Sequence, residues 1–239
     1  MIDAEELAAA REAFRGRLED VVGPGPMPRL DEALTHPSFA NEMGAADNQR
    51  LEFLGDAVLG LCVSEQLAAA HPDADEGKLT RMRSALVNAE ALASWARSVN
   101  LGSCIALGRG ATLGTEREQT NVLADAVEAV VAAVYDARGL DGARLLVQQV
   151  AAGRFEQADS LSVPDPKSAL QELVQARRMP APTYRVVQVR GAPHDQVFDV
   201  EVLVGARPVG RGEGRSKRLA ERAAAASALD HLKDPPRDR

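Results

Sequence analysis

Two long stretches of the sequence are apolar, glycines included, except that each contains two acidic residues. The stretches are residues 51–63 and 122–134, and their acids are Glu52, Asp56, Asp125 and Glu128. A helix that is apolar on all sides is normally buried, and a buried carboxylate without a partner costs several kcal/mol or loses its charge. A fold for this chain must therefore supply a countercharge for these acids.

The spacing of the acids places each pair on one face of a helix. Residues i and i+4 (Glu52 and Asp56) and residues i and i+3 (Asp125 and Glu128) lie about 5–6 Å apart on a helix. Like charges at that distance repel by roughly 3 kcal/mol at an effective dielectric constant of 20. If the two helices pack together, the four acids converge, and a site made only of oxygen ligands favours Mg²⁺ or Mn²⁺. The alternative is a solvated acidic face, which the apolar flanks of both pairs disfavour.

Length and composition bound the class of protein. The 239 residues suit one or two domains, and a hydrophobic content of 45% supplies a sizeable core. No uninterrupted apolar run approaches the roughly 18–20 residues of a membrane span, and the amino-terminal segment is typical of an amphipathic helix and not of a signal peptide. We therefore expect a cytoplasmic protein with no membrane partner. Cys62 and Cys104 form no C-x-x-C pair and are expected in the core without a disulfide.

The charge is distributed unevenly between the two ends of the chain. The net charge is −7, which by itself argues against a nucleic-acid partner. Residues 165–239 nevertheless hold 14 Lys and Arg against 10 Asp and Glu, a net charge of +4, which leaves −11 for residues 1–164. This asymmetry indicates an acidic unit that collects cations, joined to a basic unit that meets a polyanion.

Hydrophobic periodicity predicts an all-α domain in the first two thirds of the chain. Its main helices are predicted over residues 48–70, 76–99, 119–137 and 140–157. His36-Pro37 is predicted to end a short helix that begins near Leu30. The glycine-rich segment 102–114 lacks the pattern of a phosphate loop, and no organic cofactor is expected. The predicted organisation is a helical domain, a linker, a second domain and a tail, over residues 1–157, 158–164, 165–233 and 234–239.

The second domain is predicted to be a small α+β unit of order α-β-β-β-α. A helix begins near Pro166, and three segments near residues 183–190, 198–204 and 207–211 have the alternation or composition of strands. The last helix is predicted from Ser216 to about Leu232. Its predicted apolar stripe consists of Leu219, Ala223, Ala226 and Leu229.

Small units of this order bind double-stranded RNA when their surfaces are suitably charged. Such proteins read the shape and the phosphates of A-form RNA, because its base edges lie in a deep major groove. The start of the last helix offers free backbone N–H groups together with two cations, which suits a phosphate. The alternative for Ser216 is an ordinary N-cap. The candidate RNA contacts are Gln171, Glu172, His194, Ser216, Lys217 and Arg218.

Two acidic motifs and three motifs in the basic region resemble ribonuclease III. The segment from Asn48 to Leu59, NQRLEFLGDAVL, is similar to the family signature, and LADAVEA from Leu123 is similar to its second acidic motif. Asp165-Pro166-Lys167, Gln171-Glu172 and Ser216-Lys217-Arg218 resemble the family's double-stranded RNA-binding domain. The resemblance covers nearly the whole chain, in order.

The resemblance implies a metal-dependent endonuclease that cuts double-stranded RNA. It implies Mg²⁺, with Mn²⁺ as a substitute, and a homodimer whose subunits leave staggered ends with 5′-phosphate and 3′-hydroxyl groups. Maturation of ribosomal RNA precursors is the implied role. The implied metal ligands are Glu52, Asp56, Asp125 and Glu128, of which Asp56 and Glu128 are the implied catalytic pair. The resemblance also makes Glu76 an accessory acid and places Phe53 at the dimer interface.

One position departs from the family pattern, and two other classes of protein compete with the nuclease. Gln49 stands where the signature usually has Glu, outside the four implied ligands, so we expect activity to survive. A protein that binds folded RNA without cutting it remains an alternative that only a cleavage experiment decides. A ferritin-like carboxylate bundle is excluded, because no Glu of this sequence has a His three residues later.

Overall fold

The computed structural model describes residues 4–109, 116–161, 165–192 and 195–233. The chain divides into two compact units, Met1–Ser162 and Val163–Arg239, and each has its own hydrophobic core. In the described residues, the first unit is built of helices, and the second unit contains two helices and a three-stranded sheet. The predicted fold class, an all-α domain followed by an α-β-β-β-α domain, is confirmed.

The first unit contains eight α-helices in its described residues. They are α1 (Ala4–Val22), α2 (Leu30–Ala33), α3 (Pro37–Met43), α4 (Gln49–Ala70), α5 (Glu76–Val87), α6 (Ala89–Ser98), α7 (Thr120–Val150) and α8 (Ala158–Leu161). Among the described residues between α6 and α7 there are two short 3₁₀ helices, Leu101–Cys104 and Glu116–Glu118. Cys62 and Cys104 are buried free thiols of this core.

Helices α4 and α7 pack along each other and form the centre of the first unit. The middle of α7 is almost completely buried, because small and branched apolar side chains surround it on all sides. The closest approach is at Gly55, where an added Cβ atom would overlap the carbonyl oxygen of Glu128. Helix α4 is also long and apolar enough to span a bilayer by length and composition alone. Its exposed face carries Phe53, which is 82% exposed.

Three helix boundaries differ from the sequence prediction. His36-Pro37 does not end α2, which stops at Ala33; it starts α3, because the His36 side chain accepts a hydrogen bond from the Ser38 N–H and Pro37 fits the first helical turn. The predicted helix 76–99 is two helices. Asn88 separates them, since its extended backbone ends α5 and its side chain caps α6.

The carboxyl-terminal part of the first unit also differs from the prediction. Two helices are predicted on either side of residues 138–139, and α7 does consist of two helical segments joined by a kink, because the backbone at Gly139 is non-helical (φ 67°, ψ −168°). Glycine tolerates this conformation because it has no Cβ atom. The helix ends at Val150 instead of residue 157. Residues predicted as linker form α8, whose Ala158 is buried and which packs against α5.

The second unit places two helices against an antiparallel sheet of order β1-β2-β3. Its elements are α9 (Pro166–Ala176), β1 (Pro182–Arg190), β2 (Val197–Val204), β3 (Arg207–Gly214) and α10 (Lys217–Lys233). The predicted stripe of α10 is only partly right: Leu229 packs against the core, whereas Leu219 is 51% exposed. The fully buried residues of α10 are Ala220, Ala224, Ala225 and Ala228. They face the β3 glycines at 210, 212 and 214, where an added Cβ would overlap the helix backbone. Helix and strand therefore approach closely, which hydropathy alone did not indicate.

Candidate metal centre and nucleic-acid interface

The contact between α4 and α7 brings together three of the four predicted acids. Glu52, Asp125 and Glu128 each offer a carboxylate oxygen, and these oxygens lie within 4.8 Å of one another. All three residues are half-buried. The glycine at position 55 makes this possible, because it lets the backbone of α4 approach the backbone of Glu128.

The pKa of each of these three acids is raised, and burial is the largest cause in every case. For Glu128, burial and then the charges of Asp56, Asp125 and Glu52 raise the pKa to about 7. Burial raises the pKa of Glu52, with Asp125 and Asp47 adding to it. Burial likewise raises the pKa of Asp125, and only there does a basic side chain, His36, act in the opposite direction. The fold thus concentrates negative charge that its described side chains do not neutralise.

The donor set fits a hard divalent cation. It consists of three carboxylates from two helices, with no nitrogen or sulfur ligand among the three. Oxygen donors of this kind are preferred by Mg²⁺ and Mn²⁺. A divalent ion would supply the missing positive charge and would hold all three acids in their ionised form.

Asp56 and Glu76 do not belong to this group of three. Asp56 lies one helical turn beyond Glu52 and is exposed, although its charge still raises the pKa of Glu128. Glu76 is the first residue of α5, and its exposed carboxylate accepts a hydrogen bond from the Thr80 hydroxyl (3.0 Å). The metal role of Asp56 and the accessory role of Glu76 remain predictions.

Two residues that act on the acids were absent from the sequence prediction. His36 lies near Asp125, and Asp47, just before α4, lies near Glu52. By itself, the His36-Pro37 pair predicts only the end of a helix. The local sequence His36-Pro37-Ser38 is compatible with a histidine cap at the start of a helix. It contains no signal that would place His36 near Asp125, which lies on a distant helix.

The predicted RNA contacts of the second unit lie on exposed surfaces of two helices. Gln171 and Glu172 are exposed on α9, and Lys217 and Arg218 are exposed at the start of α10. The Ser216 hydroxyl accepts a hydrogen bond from the Leu219 N–H (3.3 Å), so it caps the helix. His194 lies outside the described residues. The cap orders the helix start and leaves both cations facing solvent.

A network of charged groups fixes the start of α9 against α10 and β1. The Lys167 ammonium lies 2.6 Å from the Glu221 carboxylate and 4.6 Å from the centre of the Tyr184 ring. Asp165 caps α9 and pairs with Arg222 (2.9 Å). Burial, together with the charges of Glu221 and Asp165, raises the pKa of Tyr184 to about 12. Two of the motif residues that carried the resemblance therefore hold the second unit together.

Known proteins match both units of the chain. Residues 29–153 match the family model "Ribonuclease-III-like", and residues 166–232 match "Double-stranded RNA binding motif". A protein of Myxococcus xanthus named "Ribonuclease 3" is 44% identical over 207 residues, which are 85% of this chain and 80% of that protein. A protein of the same name from Cereibacter sphaeroides is 42% identical over 95% of this chain and 97% of its own length.

The first unit also matches a solved structure. The nuclease domain of ribonuclease III from Campylobacter jejuni, described with a flexible region involved in dimer formation, is 34% identical with a TM-score of 0.53. The match covers 59% of this chain and 97% of that domain.

Proposed function

The chain belongs to the ribonuclease III family of endoribonucleases that act on double-stranded RNA, and from this premise we propose that it hydrolyses its substrate with Mg²⁺ held by Glu52, Asp125 and Glu128. The observation that carries the proposal is the group of three half-buried carboxylates with raised pKa values. A stable fold does not need such a group, because apolar side chains at the same positions could be buried without the desolvation penalty of a charged carboxylate. Binding of an external cation would explain why three acids are placed together at this position.

In this proposal, the first unit carries out hydrolysis and the second unit binds the RNA duplex. A divalent ion, when bound, lowers the pKa of a water molecule and stabilises the leaving oxygen of the phosphodiester. Glu52, Asp125 and Glu128 hold and orient that ion, and Asp56 adds negative charge beside Glu128. In the second unit, Lys217, Arg218 and the capped start of α10 bind the phosphates of the duplex. Hydrolysis of this type yields 5′-phosphate and 3′-hydroxyl ends.

The test is cleavage of a long, perfectly paired RNA duplex. With protein and Mg²⁺ we expect short duplexes with staggered ends, and with a chelator we expect the intact substrate. The products should accept a radioactive 5′-phosphate only after phosphatase treatment. An RNA that is bound but uncut in Mg²⁺ and in Mn²⁺ would establish the alternative, a binding-only protein.

We propose that the protein is a homodimer formed through the exposed apolar face of α4. Phe53 (82% exposed) and Leu61 (47% exposed) lie on this helix two turns apart, and large apolar side chains this exposed are typical of interfaces. Phe53→Asp should give a monomer in sedimentation analysis. Leu145→Asp, which changes an exposed apolar residue of α7, should leave the dimer intact. A dimeric Phe53→Asp protein would contradict the proposal.

We also propose a place and a substrate class for the enzyme. Similar proteins named "Ribonuclease 3" are bacterial, which supports action in the cytoplasm on structured RNA precursors, ribosomal RNA precursors among them. Depletion of the protein in its host should then lead to accumulation of longer ribosomal RNA precursors. Unchanged precursor lengths would contradict this role and leave the cleavage reaction itself untouched.

A further inference from the structure

Both helices of the second unit begin with positive side chains. Lys167 lies in the first turn of α9, Lys217 and Arg218 open α10, and neither first turn contains an acid. Cations are unfavourable at the start of a helix, because the free N–H groups there carry positive partial charge. The proposed phosphate contacts explain this arrangement for α10. The position of Lys167 requires an explanation of its own.

The ammonium group of Lys167 is held between an acid and an aromatic ring. It donates to the Glu221 carboxylate of α10 (2.6 Å) and lies 4.6 Å from the centre of the Tyr184 ring. The side chain of Glu221 is only 15% exposed, so solvent screens this pair less than an ordinary surface pair. A second pair, Asp165 with Arg222 (2.9 Å), joins the same two segments. The Glu221 carboxylate is thereby fixed towards α9.

Glu221 is the first acid of α10 and lies within about one helical turn of both cations at the helix start. It follows Lys217 by four residues and Arg218 by three, and side chains at these spacings lie about 5–6 Å apart. A carboxylate with no other partner would pair with one of these cations. In the described part of the chain, however, both cations are exposed and neither forms an ion pair. The contact of Glu221 with Lys167 therefore leaves them available.

We propose that Lys167 is a positioning residue of the RNA interface, which holds the Glu221 carboxylate away from Lys217 and Arg218 and so keeps both cations free for phosphate. The proposal rests on the phosphate contacts proposed above for the start of α10. Without the Lys167 ammonium group, the Glu221 carboxylate turns back towards the start of its own helix. There it neutralises one cation and repels the phosphate.

The competing explanation is that the ion pair only stabilises the second unit. A purely structural pair is lost whichever partner is replaced, so Lys167→Met and Glu221→Gln would then weaken RNA binding alike. The proposal predicts an asymmetry instead, because Lys167→Met releases the acid whereas Glu221→Gln removes its charge. Methionine leaves an unbranched side chain of similar length beside the Tyr184 ring.

The first measurement is the affinity of the full-length protein for a perfectly paired RNA duplex, without divalent metal and at several salt concentrations. Lys167→Met should bind about 2-fold to 10-fold more weakly, with a slope of log K against log[salt] that is shallower by up to roughly one. Glu221→Gln should bind at least as tightly as the wild type. The double variant should recover the affinity and the slope that Lys167→Met has lost.

Three results of this measurement would overturn the proposal. Lys167→Met could bind like the wild type, or both single variants could be equally weak. The double variant could also stay as weak as Lys167→Met, which would show that Lys167 contacts the phosphate itself or acts only on the fold. All variants are compared below their melting temperatures, so that a loss of folded protein is not counted as a loss of affinity.

A matched control is Arg177→Met. Arg177 also joins the two helices, since it donates to the Leu232 carbonyl (3.0 Å), but it does so near the other end of both helices. This variant should keep the wild-type RNA affinity and salt slope. A loss equal to that of Lys167→Met would show that loosening α9 is sufficient, and the proposal would be wrong.

Cleavage assays with Mg²⁺ test the same role in the reaction. Lys167→Met should raise KM for RNA and leave kcat unchanged, because the change affects binding alone; a lowered kcat at an unchanged KM would contradict the proposal. A protein with both Lys217→Ala and Arg218→Ala, measured in parallel, distinguishes the two failures. If it binds RNA like the wild type, the phosphate contacts themselves are wrong. If it binds weakly while Lys167→Met binds normally, only the role of Lys167 falls.

Discussion

One carboxylate in each unit, buried in the second unit and half-buried in the first, shows how differently the two units treat negative charge. In the second unit, Glu201 is 3% exposed and accepts hydrogen bonds from Arg185 (2.6 Å) and Arg211 (2.9 Å), which lower its pKa. In the first unit, Glu128 is half-buried beside three other acids, and its pKa is raised to about 7. One acid is neutralised inside the chain, and the other requires a cation from outside.

The difference separates a structural acid from a functional one. A buried ion pair whose hydrogen bonds are complete needs no further partner from outside the chain. A buried acid among acids is unfavourable in the isolated protein, and strongly perturbed carboxyl groups in a cleft are typical of functional sites. The expectation is therefore that changes at Glu128 affect catalysis and changes at Glu201 affect stability.

The largest expected effect is the loss of cleavage in Glu128→Gln. The amide keeps the shape of the side chain but removes the negative charge that binds the cation, so cleavage should fall by about 100-fold to 1,000-fold, the range found when a central electrostatic group is removed. Binding of the duplex should stay within a few-fold. The matched control is Asp141→Asn, an exposed acid of the same helix (side chain 92% exposed), which should cleave normally.

The pH dependence of the stability of the metal-free protein is an independent test of the raised pKa of Glu128. The fold raises the Glu128 pKa from 4.5 to about 7, so the stability present below pH 4.5 is lost as the pH rises through about 7. Thermal unfolding between pH 4.5 and 8 should show this decline in the wild type and a smaller one in Glu128→Gln. A wild-type decline that persists unchanged in the variant would contradict the assignment of the raised pKa.

The second effect in size is destabilisation by a side chain at Gly55. In Gly55→Val the added atoms overlap the Glu128 carbonyl, so α4 and α7 must separate, at a cost of about 3 kcal/mol or more. Urea unfolding measures the loss. Gly16→Ala is the control, because this exposed helix glycine has open space around it and should gain about 0.5–1 kcal/mol. Equal behaviour of the two variants would refute the close helix contact.

A smaller effect is expected on RNA affinity when the cations at the start of α10 are removed. Lys217→Ala combined with Arg218→Ala should weaken duplex binding, and the slope of log K against log[salt] should become shallower by roughly one for each lost phosphate contact. Arg207→Ala, which changes the exposed arginine at the start of β3, should leave the slope unchanged. A steep salt slope in the double variant would place the phosphate contacts elsewhere.

The smallest effect concerns Glu201, and its sign is opposite to that of Glu128. Because Arg185 and Arg211 lower the Glu201 pKa, its contribution to stability is present above the ordinary pKa and is lost as the pH falls through the lowered one. Glu201→Gln should therefore have a lower free energy of unfolding than the wild type at neutral pH. Below pH 4.5 its free energy of unfolding should fall less steeply with pH than that of the wild type. A variant with the wild-type acid profile would show that the two arginines do not stabilise the carboxylate.

The sequence determined the helical first domain, the α-β-β-β-α second domain and the acids that the fold brings together. These features follow from local patterns: hydrophobic period, turn residues, and charges placed at helical spacing inside apolar stretches. Residues 52, 125 and 128 could be identified because a buried carboxylate is costly wherever its helix packs. The family resemblance was carried by the same short segments.

Tertiary structure alone decided which atoms meet. Asp56 lies outside the group of three oxygens, and His36 lies near Asp125, because the crossing of α4 and α7 and the hydrogen bonds around Thr35 fix their positions. The buried stripe of α10 is likewise set by the glycines of β3, which admit alanines and leave Leu219 exposed. Local sequence specifies periodicity and charge, whereas contacts between distant segments depend on the steric fit of whole elements.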